Sequence, residues 1–252
     1  MIKKIIGDIF SRPFFQPFFE GVLNFSLKVL NIGDGHSVET SGEKIAFDIL
    51  YKINSDKEAM VFDVGAHTGE WYKLFKQYYK GKAKVYSFEP SSESYEKLSE
   101  IKDNDFYPVN FALGNITEDK YLSDKGETSA YISNEKENEK TSEKIKIITL
   151  DEYCNKNNIK NIDLLKLDVE GYELKVLAGA KKMLENNSIK TIQFEFGAPS
   201  PEKYTLKDFF DILGDKYEIC RILKNGYFPV KYKHYFEILT VTNFIAIKKD
   251  LI

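Results

Sequence analysis

The feature that most constrains this fold is an alternation, from Ala59 onward, of short β-rich runs with amphipathic helical segments. Strands that alternate with helices form βαβ units, which build a parallel sheet covered by helices. Strands are predicted at residues 60–64, 84–88, 106–109, 162–168 and 190–196. Helices are predicted at residues 69–79, 91–101, 150–157, 173–185 and 206–213. The alternation therefore predicts an α/β fold.

The last part of the chain has a different pattern. After the helix predicted at 206–213, β-rich runs at 217–223 and 243–248 flank an Asn225-Gly226 turn. Strands joined in this way can add antiparallel neighbours to a parallel sheet. We expect a mostly parallel sheet with an antiparallel C-terminal edge.

Residues 1–55 form a separate region in this prediction, and residues 56–252 form the α/β domain. The N-terminal region carries two apolar stripes at helical spacing, one over residues 2–10 and one over residues 19–30. Such a stripe usually packs on a protein core as a cap. It also suits an interfacial helix that docks on a membrane or a partner, because Lys3, Lys4 and Arg12 flank the apolar face.

Composition excludes several classes of partner. The chain has 252 residues and a net charge of −3, without a Lys/Arg cluster, so we expect no nucleic acid partner. Cys154 and Cys220 are far apart and lack metal-ligand spacing, which favours a reducing cytoplasm. The chain shows neither a signal peptide nor an apolar run of about 20 residues. We expect a cytoplasmic protein, with peripheral membrane contact through residues 1–30 as an option. The charged interval 134–146 is expected to be a solvated loop or hairpin rim.

The strongest local motif is Asp63-Val64-Gly65-Ala66-His67-Thr68-Gly69, which joins a buried strand to an amphipathic helix. Glycine in such a turn permits close approach of a ligand to the backbone. His67 stands where the middle glycine of GxGxxG would be, so the turn suits a dinucleotide pyrophosphate poorly.

Glu89 ends the next strand, 24 positions after Gly65. An acid at this spacing accepts hydrogen bonds from ribose hydroxyls in adenosine-binding folds. The alternative is a carboxylate that complements the dipole of the helix predicted from Ser91. Together with the glycine turn, Glu89 predicts an adenosine ligand. Ligands of open α/β sheets bind at the carboxyl edge, so Asp63, Glu89 and Asp168 are expected to converge there.

Five segments resemble the FkbM-type methyltransferases: 63–69, Phe88-Glu89-Pro90, Asn110-Phe111-Ala112-Leu113, Thr149-Leu150-Asp151 and Leu167-Asp168-Val169-Glu170-Gly171-Tyr172-Glu173. The similarity extends from Ser41-Gly42-Glu43 to Asn243-Phe244-Ile245-Ala246. It implies a Rossmann-like class I methyltransferase sheet, S-adenosylmethionine as methyl donor, and O-methylation of a small molecule or glycan. The cofactor-binding residues that it indicates are Asp63, Gly65, Ala66, His67, Gly69, Glu89, Pro90, Asn110, Ala112, Asp168 and Glu43.

Four side chains are candidates for catalysis. Asp168 is the first candidate to orient or deprotonate the acceptor hydroxyl, and Glu170 is its neighbour. Methyl transfer is an in-line displacement, so alignment of the hydroxyl with the methyl group can supply much of the catalysis even with a weak base. The alternative for both is to cap the helix near Tyr172. Glu195 ends the adjacent strand. His67 is a candidate base or a hydrogen-bonding support, at a position where the family more often has Asn.

Several alternatives stay open. Acids at one rim could bind a divalent metal or clamp a polar substrate, but no compact ligand spacing is present, so we predict no metal. Glu43 either belongs to a lid over the cofactor or starts a helix over residues 43–51, for which Ser41 and Thr40 are the cap candidates. An NAD-dependent oxidoreductase shares the glycine turn and the acidic strand end, but the chain lacks a Tyr/Lys or Cys/His hydride-transfer pair. A non-catalytic adenosine-binding module is the third hypothesis.

Overall fold

The computed structural model describes residues 9–33, 40–54, 57–124, 130–133, 135–136, 142–197, 204–238 and 240–252. In chain order the helices are α1 Gln16–Val29, α2 Lys44–Asn54, α3 Glu70–Tyr78, α4 Ser92–Ser99, α5 Leu150–Lys156, α6 Glu173–Gly179, α7 Lys181–Glu185 and α8 Leu206–Leu213. The strands are β1 Ala59–Val64, β2 Ala83–Phe88, β3 Phe106–Val109, β4 Ala112–Leu113, β5 Glu118–Asp124, β6 Ala130–Ser133, β7 Ser142–Ile148, β8 Ile162–Leu167, β9 Ile189–Phe196, β10 Tyr217–Leu223, β11 Gly226–Pro229 and β12 Thr242–Lys248.

The main sheet has eight strands in the order β11-β10-β12-β9-β8-β1-β2-β3. The five strands from β9 to β3 in this order run parallel to one another. β12 pairs antiparallel with β9, and β10 pairs antiparallel with both β12 and β11. The predicted α/β sheet, mostly parallel with an antiparallel C-terminal edge, is therefore confirmed.

The five predicted parallel strands match the observed ones to within one residue at each end. The continuous helix predicted at 173–185 is wrong, because the chain breaks at Ala180 into α6 and α7. The carboxylate of Asp151 accepts hydrogen bonds from the amides of Lys182 (2.8 Å) and Met183 (3.0 Å). These amides belong to the first turn of α7 and lack partners within their helix, so a distant side chain starts a new helix there.

A second sheet, in the order β4-β7-β5-β6, was not predicted. Residues 142–146, expected to lie in a solvated loop or hairpin rim, form the first part of β7, whereas residues 134 and 137–141 lie outside the described residues. Ile145 and Ile147 point into a small core, while Lys144 and Lys146 are exposed. The alternation that makes this strand was hidden by its dense charge.

The two helices of the N-terminal region pack differently. α2 lies in the same core as α3, with the Phe47 ring centroid 5.3 Å from that of Trp71 and 5.2 Å from that of Phe75. None of the residues of α1 is buried. The first interpretation of the apolar stripe at 19–30, that it packs on the core as a cap, therefore disagrees with the structure of this helix. The domain boundary at residue 55 stays a prediction.

Candidate functional site at the carboxyl edge of the sheet

The register of the central strands brings the predicted acidic residues to one edge. Val64 pairs with Leu167 of β8 and with Phe88 of β2, and Leu167 pairs with Phe194 of β9. The residues that directly follow these four positions are Gly65, Glu89, Asp168 and Glu195. Parallel strands end at the same edge of a sheet, and the structure brings Asp63, Glu89 and Asp168 to this edge, as expected.

A buried lysine lies at the centre of this edge. The Nζ atom of Lys166 lies 3.3 Å from Oδ1 of Asp63 and 3.1 Å from Oδ2 of Asp168. The side chains of Lys166 and Asp63 are 3% and 0% exposed, whereas that of Asp168 is 41% exposed. One ammonium therefore connects a fully buried carboxylate to one that reaches solvent.

Glu43 belongs to the same polar cluster. Its carboxylate accepts hydrogen bonds from Oγ of Ser41 (2.8 Å) and from Nε2 of Gln193 on β9 (2.6 Å). Burial raises the pKa of Glu43 and of Asp63, and the positive charge of Lys166 opposes this rise. Burial would lower the pKa of Lys166, but the surrounding carboxylates raise it overall. We call these five side chains, Ser41, Glu43, Asp63, Lys166 and Gln193, together with Asp168, the buried polar cluster.

Glu89 organises the turn between β1 and α3. Its Oε2 atom accepts a hydrogen bond from the amide of His67 (2.8 Å), and its Oε1 atom accepts one from the amide of Ser91 (2.9 Å). Burial raises the pKa of Glu89, and these two amides oppose the rise. The bond to Ser91 agrees with the helix-end alternative. Each carboxylate oxygen still has a second lone pair for a ligand.

Asn110 and Pro90 lie beside this turn. The Asn110 amide donates hydrogen bonds to the carbonyl oxygens of Glu89 (2.9 Å) and Pro90 (3.2 Å). Ala112 is buried in β4, in the small core with Ile147. Asn110 therefore fixes the end of β2, which positions the Glu89 carboxylate.

The glycines of the turn serve contacts within the chain. Gly65 has a φ of +85°, and a Cβ there would lie 1.8 Å from the carbonyl oxygen of Asp168. Gly69 also has a φ of +85°, and its Cβ would lie 2.6 Å from Cδ1 of Ile101. The amides of Gly65 and Ala66 both donate to the Phe88 carbonyl at 3.0 Å. The close approach expected for a ligand at Gly65 is thus used by the neighbouring loop after β8.

His67 contributes its backbone more than its ring. Its φ is +48°, in the left-handed region, and its amide donates to Glu89. Its side chain is 73% exposed, and its Nδ1 atom lies 3.7 Å from Oε2 of Glu70. This arrangement agrees with a supporting role for the residue, and its role as a base stays a prediction.

Glu173 supports the loop that carries the predicted catalytic acids. Its Oε1 atom accepts hydrogen bonds from the amides of Val169 (3.1 Å) and Gly171 (3.2 Å). Its Oε2 atom accepts one from the hydroxyl of Tyr204 (2.9 Å). Burial raises the pKa of Glu173 to about 7, although these donors oppose the rise. Glu170, in the same loop, has a left-handed φ of +52°. This conformation is costly for a non-glycine residue and is found most often where the surrounding contacts enforce it.

The contacts of Asp168 do not support the helix-cap alternative for that residue, whereas for Glu170 the alternative stays a prediction. The N-cap residue of α6 is Tyr172, which makes no side-chain capping hydrogen bond, and the Asp168 carboxylate bonds to Lys166. Glu173, in the first turn, takes up the loop amides.

Glu195 lies opposite Asn243 of β12 at the same edge. Burial and the negative charges of Asp168, Glu170 and Glu173 raise its pKa to about 9. Its carboxyl group is therefore protonated at neutral pH and can donate a hydrogen bond, which an ionised carboxylate cannot do. Among the described residues, no group of three or more His, Cys, Asp and Glu side chains could hold a metal ion.

Sequence reasoning missed Lys166, Gln193 and Glu173 as members of the site. One signal was present for Lys166, because it is a charged residue that lies between leucines near the end of a central strand. A lysine in such a strand needs a carboxylate partner at the buried end. The partners of Gln193 and Tyr204 lie 150 and 31 residues away in the chain, and no local pattern indicates them.

The sheet order, the glycine turn after β1 and the acidic residues after β2 and β8 define a Rossmann-like α/β protein of the class I methyltransferase type. The chain belongs to the FkbM methyltransferase family, since the model of the Methyltransferase FkbM domain matches residues 63–227. The resemblance seen in the sequence is therefore confirmed.

Individual relatives are more distant. The chain is 25% identical over 159 residues to the hexuronic acid methyltransferase AglP of Haloferax volcanii. The aligned region covers 62% of this chain and 64% of that protein. The crystal structure of the methyltransferase FkbM from Methylobacillus flagellatus KT matches with 19% identity and a TM-score of 0.48, over 76% of this chain and 44% of that one. The plantazolicin methyltransferase BpumL, solved with S-adenosylhomocysteine, matches with 10% identity and a TM-score of 0.45, over 96% and 93%.

Proposed function

We propose that this protein is an S-adenosylmethionine-dependent O-methyltransferase that methylates a hydroxyl of a sugar or glycan. The observation that carries the proposal is the charge balance at the carboxyl edge. There one buried ammonium, that of Lys166, is shared by the carboxyl groups of Asp63, Asp168 and Glu43. Negative groups outnumber the positive one, so the edge favours a cationic ligand over an anionic one.

This charge balance fits the cofactor that family membership implies. When bound, S-adenosylmethionine supplies an electrophilic methyl group on a positively charged sulfur. The residues that would hold it are Asp63, the turn from Gly65 to Gly69, Glu89, Pro90, Asn110, Ala112 and Asp168. Glu43 would act indirectly, through its contacts within the buried polar cluster. Glu89 would bind the ribose hydroxyls through its remaining lone pairs.

The same geometry argues against the dinucleotide alternative. A pyrophosphate needs free backbone amides in the glycine turn. The His67 amide is already bonded to Glu89, and the amides of Gly65 and Ala66 are bonded to Phe88. A doubly charged anion would also lie near the Glu89 carboxylate. An NAD-dependent oxidoreductase is therefore the weaker proposal, as is a non-catalytic module.

The residues at the acceptor side divide the chemistry. Asp168 is held by Lys166 and reaches solvent, so it is placed to accept the proton of an acceptor hydroxyl. Glu195 is protonated at neutral pH and would donate a hydrogen bond to another oxygen of the acceptor. Glu170 extends the polar rim, and the exposed ring of His67 is the second candidate base. We infer no metal for this reaction.

A carbohydrate acceptor is supported by the name of the Haloferax relative, a hexuronic acid methyltransferase. We propose a cytoplasmic location, in keeping with two free, buried cysteines, Cys154 and Cys220, whose pKa burial raises to about 12. No nucleic acid partner is proposed, because the net charge of −3 provides no basic surface.

Calorimetric titration with S-adenosylmethionine, S-adenosylhomocysteine and NAD tests the cofactor. We expect both sulfur cofactors to bind and NAD not to bind. Glu89→Gln should weaken binding about 10- to 100-fold, because a hydrogen bond to a charged group contributes about 1.5–3 kcal/mol. Glu185→Gln, an exposed carboxylate at the end of α7 and outside the site, is the matched control and should bind as the wild type does. Binding of NAD alone, or of none of the three, would overturn the proposal.

The acceptor is tested separately. Wild-type protein is incubated with S-adenosylmethionine and a panel of neutral and uronic oligosaccharides, and products are analysed by mass spectrometry for an added CH₂. We expect a methyl ether on a hydroxyl. Cofactor binding without any product across the panel would favour the non-catalytic module.

A further inference from the structure

The first helix of the chain exposes an apolar face. No residue of α1 is buried. Seven large apolar side chains on or directly after it are exposed, including Phe25 at 69% and Phe18 at 65%; the set is Phe18, Phe19, Val22, Leu23, Phe25, Val29 and Leu30. We call this set the apolar face of α1. A contiguous exposed patch of this kind on a protein marks an interaction surface.

The width of this face indicates what covers it. At about 100° per residue, the seven side chains span an arc of roughly 160°. Ser26 is the polar residue inside the arc, and its hydroxyl donates to the Val22 carbonyl at 2.8 Å. Glu20, Asn24 and Lys28 occupy the opposite side. A stripe of about 100° is enough for a helix that packs on a protein core, and this wider face suits a helix that buries one side at the boundary of lipid headgroups and acyl chains.

Charge distinguishes this segment from the rest of the chain. Residues 1–30 contain four basic and two acidic side chains, whereas the whole chain has a net charge of −3. In the described part of the segment, Arg12 precedes the helix and Lys28 lies in its last turn. Net positive charge beside an apolar face is complementary to a surface of anionic lipid.

The helix is attached to the body of the protein at its C-terminal end. Asn31, which follows the helix, has a left-handed φ of +57° and is buried. Its side-chain amide donates to the carbonyl oxygens of Ser41 (2.6 Å) and Ile222 (3.1 Å). The amide of Gly33 donates to the Val241 carbonyl at 2.8 Å. An immersed helix would therefore hold the α/β domain at the surface to which it binds.

We propose that the apolar face of α1 binds the surface of an anionic lipid bilayer, with the helix lying in the interface. None of the helices among the described residues is long and apolar enough to cross a membrane, so the contact is with one leaflet. This binding is independent of the proposed methyl transfer, because it uses a different surface and needs no cofactor.

The test is sedimentation of the full chain with large unilamellar vesicles. Vesicles of phosphatidylcholine with a quarter phosphatidylglycerol are compared with vesicles of phosphatidylcholine alone. The variant F18S/F25S removes the two most exposed rings of the face. F228S removes a ring that is 57% exposed on β11, outside the face, and serves as the matched control.

We expect the wild type and F228S to bind the anionic vesicles, and F18S/F25S to bind at least tenfold more weakly at an unchanged thermal midpoint. Binding to anionic vesicles should also fall in R12Q/K28Q and with added salt. Equal binding to both vesicle types, or no binding, would contradict the proposal. So would a wild-type dimer in light scattering without lipid that becomes monomeric in F18S/F25S, because a second copy would then cover the face.

Discussion

The ammonium of Lys166 lies 3.1 Å from the carboxylate of Asp168, two residues further along the chain. The same ammonium lies 3.3 Å from the fully buried carboxylate of Asp63 on the neighbouring strand. Residues at i and i+2 of a strand point to the same face, so the pair forms without distortion of the strand. The buried ammonium of Lys166 thereby orients the Asp168 carboxylate from the side that faces away from solvent.

Removal of this lysine should be costly for the fold. Lys166→Met leaves Asp63 buried without a counter-ion, and we expect the free energy of unfolding at pH 7 to fall by about 3–5 kcal/mol. Urea denaturation measures this change. Lys207→Met, which breaks the exposed Lys207–Asp211 pair, should cost less than about 1 kcal/mol.

The loss in Lys166→Met should depend on pH. Without its ammonium, Asp63 has a still higher pKa in the folded state, so the folded protein binds more protons than the unfolded chain. Stability of the variant therefore rises as the pH falls towards the ordinary pKa of aspartate. A loss that stays constant from pH 8 to pH 5 would show that Asp63 is not the group left unpaired.

Glu195 should make the wild type less stable in alkaline solution. Its pKa is about 9 in the folded state, above the value of 4.5 for an exposed glutamate. Between these values the unfolded chain loses the proton and the folded protein keeps it, so stability falls as the pH rises. Glu173, whose pKa is about 7, contributes a similar slope at lower pH, so Glu195→Gln should reduce the slope above pH 7 and be more stable than the wild type at pH 8.

Denaturation curves of Glu195→Gln from pH 5 to pH 9 test this expectation. Glu185→Gln, at the exposed end of α7, removes a carboxyl group outside the cluster and should keep the wild-type slope. A slope between pH 7 and pH 9 that is unchanged in Glu195→Gln would assign the pH dependence to another group.

Gly65 should tolerate no side chain. Its φ is +85°, and the new methyl group of Gly65→Ala would lie 1.8 Å from the Asp168 carbonyl oxygen. We expect a loss of at least about 2 kcal/mol in unfolding free energy, and weaker cofactor binding, because the two loops must separate. Gly21→Ala is the control, since a Cβ there meets nothing within 4 Å and the residue is helical. That variant should gain about 0.5–1 kcal/mol.

The backbone of His67 should matter more than its imidazole. Asparagine adopts the left-handed conformation readily, so His67→Asn should change stability by less than about 0.5 kcal/mol and bind S-adenosylhomocysteine within twofold of the wild type. His67→Val should lose about 1–3 kcal/mol, because a β-branched residue is strained at a φ of +48°. A fall of more than 100-fold in kcat for His67→Asn, with binding retained, would instead identify the imidazole as the base.

Much of the fold could be predicted because it follows from local patterns. The strands β1, β2, β3, β8 and β9 were recognised from short apolar runs between helical segments. The second sheet could not be recognised in this way, since Glu143, Lys144 and Lys146 conceal the alternation of β7. The break between α6 and α7 depends on Asp151, which lies 31 residues before Lys182.

The sequence by itself determined the α/β class, the family and the positions of the acidic residues that follow β2 and β8. These are properties of spacing along the chain, and parallel strands bring such positions to one edge whatever their side chains contact. Only the tertiary structure decided the partners of those residues. Lys166 meets Asp63, Gln193 meets Glu43, and Tyr204 meets Glu173, because strand register and loop packing set which side chains lie within hydrogen-bond distance. The pKa values of Glu173 and Glu195 depend in turn on burial and neighbouring charge, which exist only once the chain is folded.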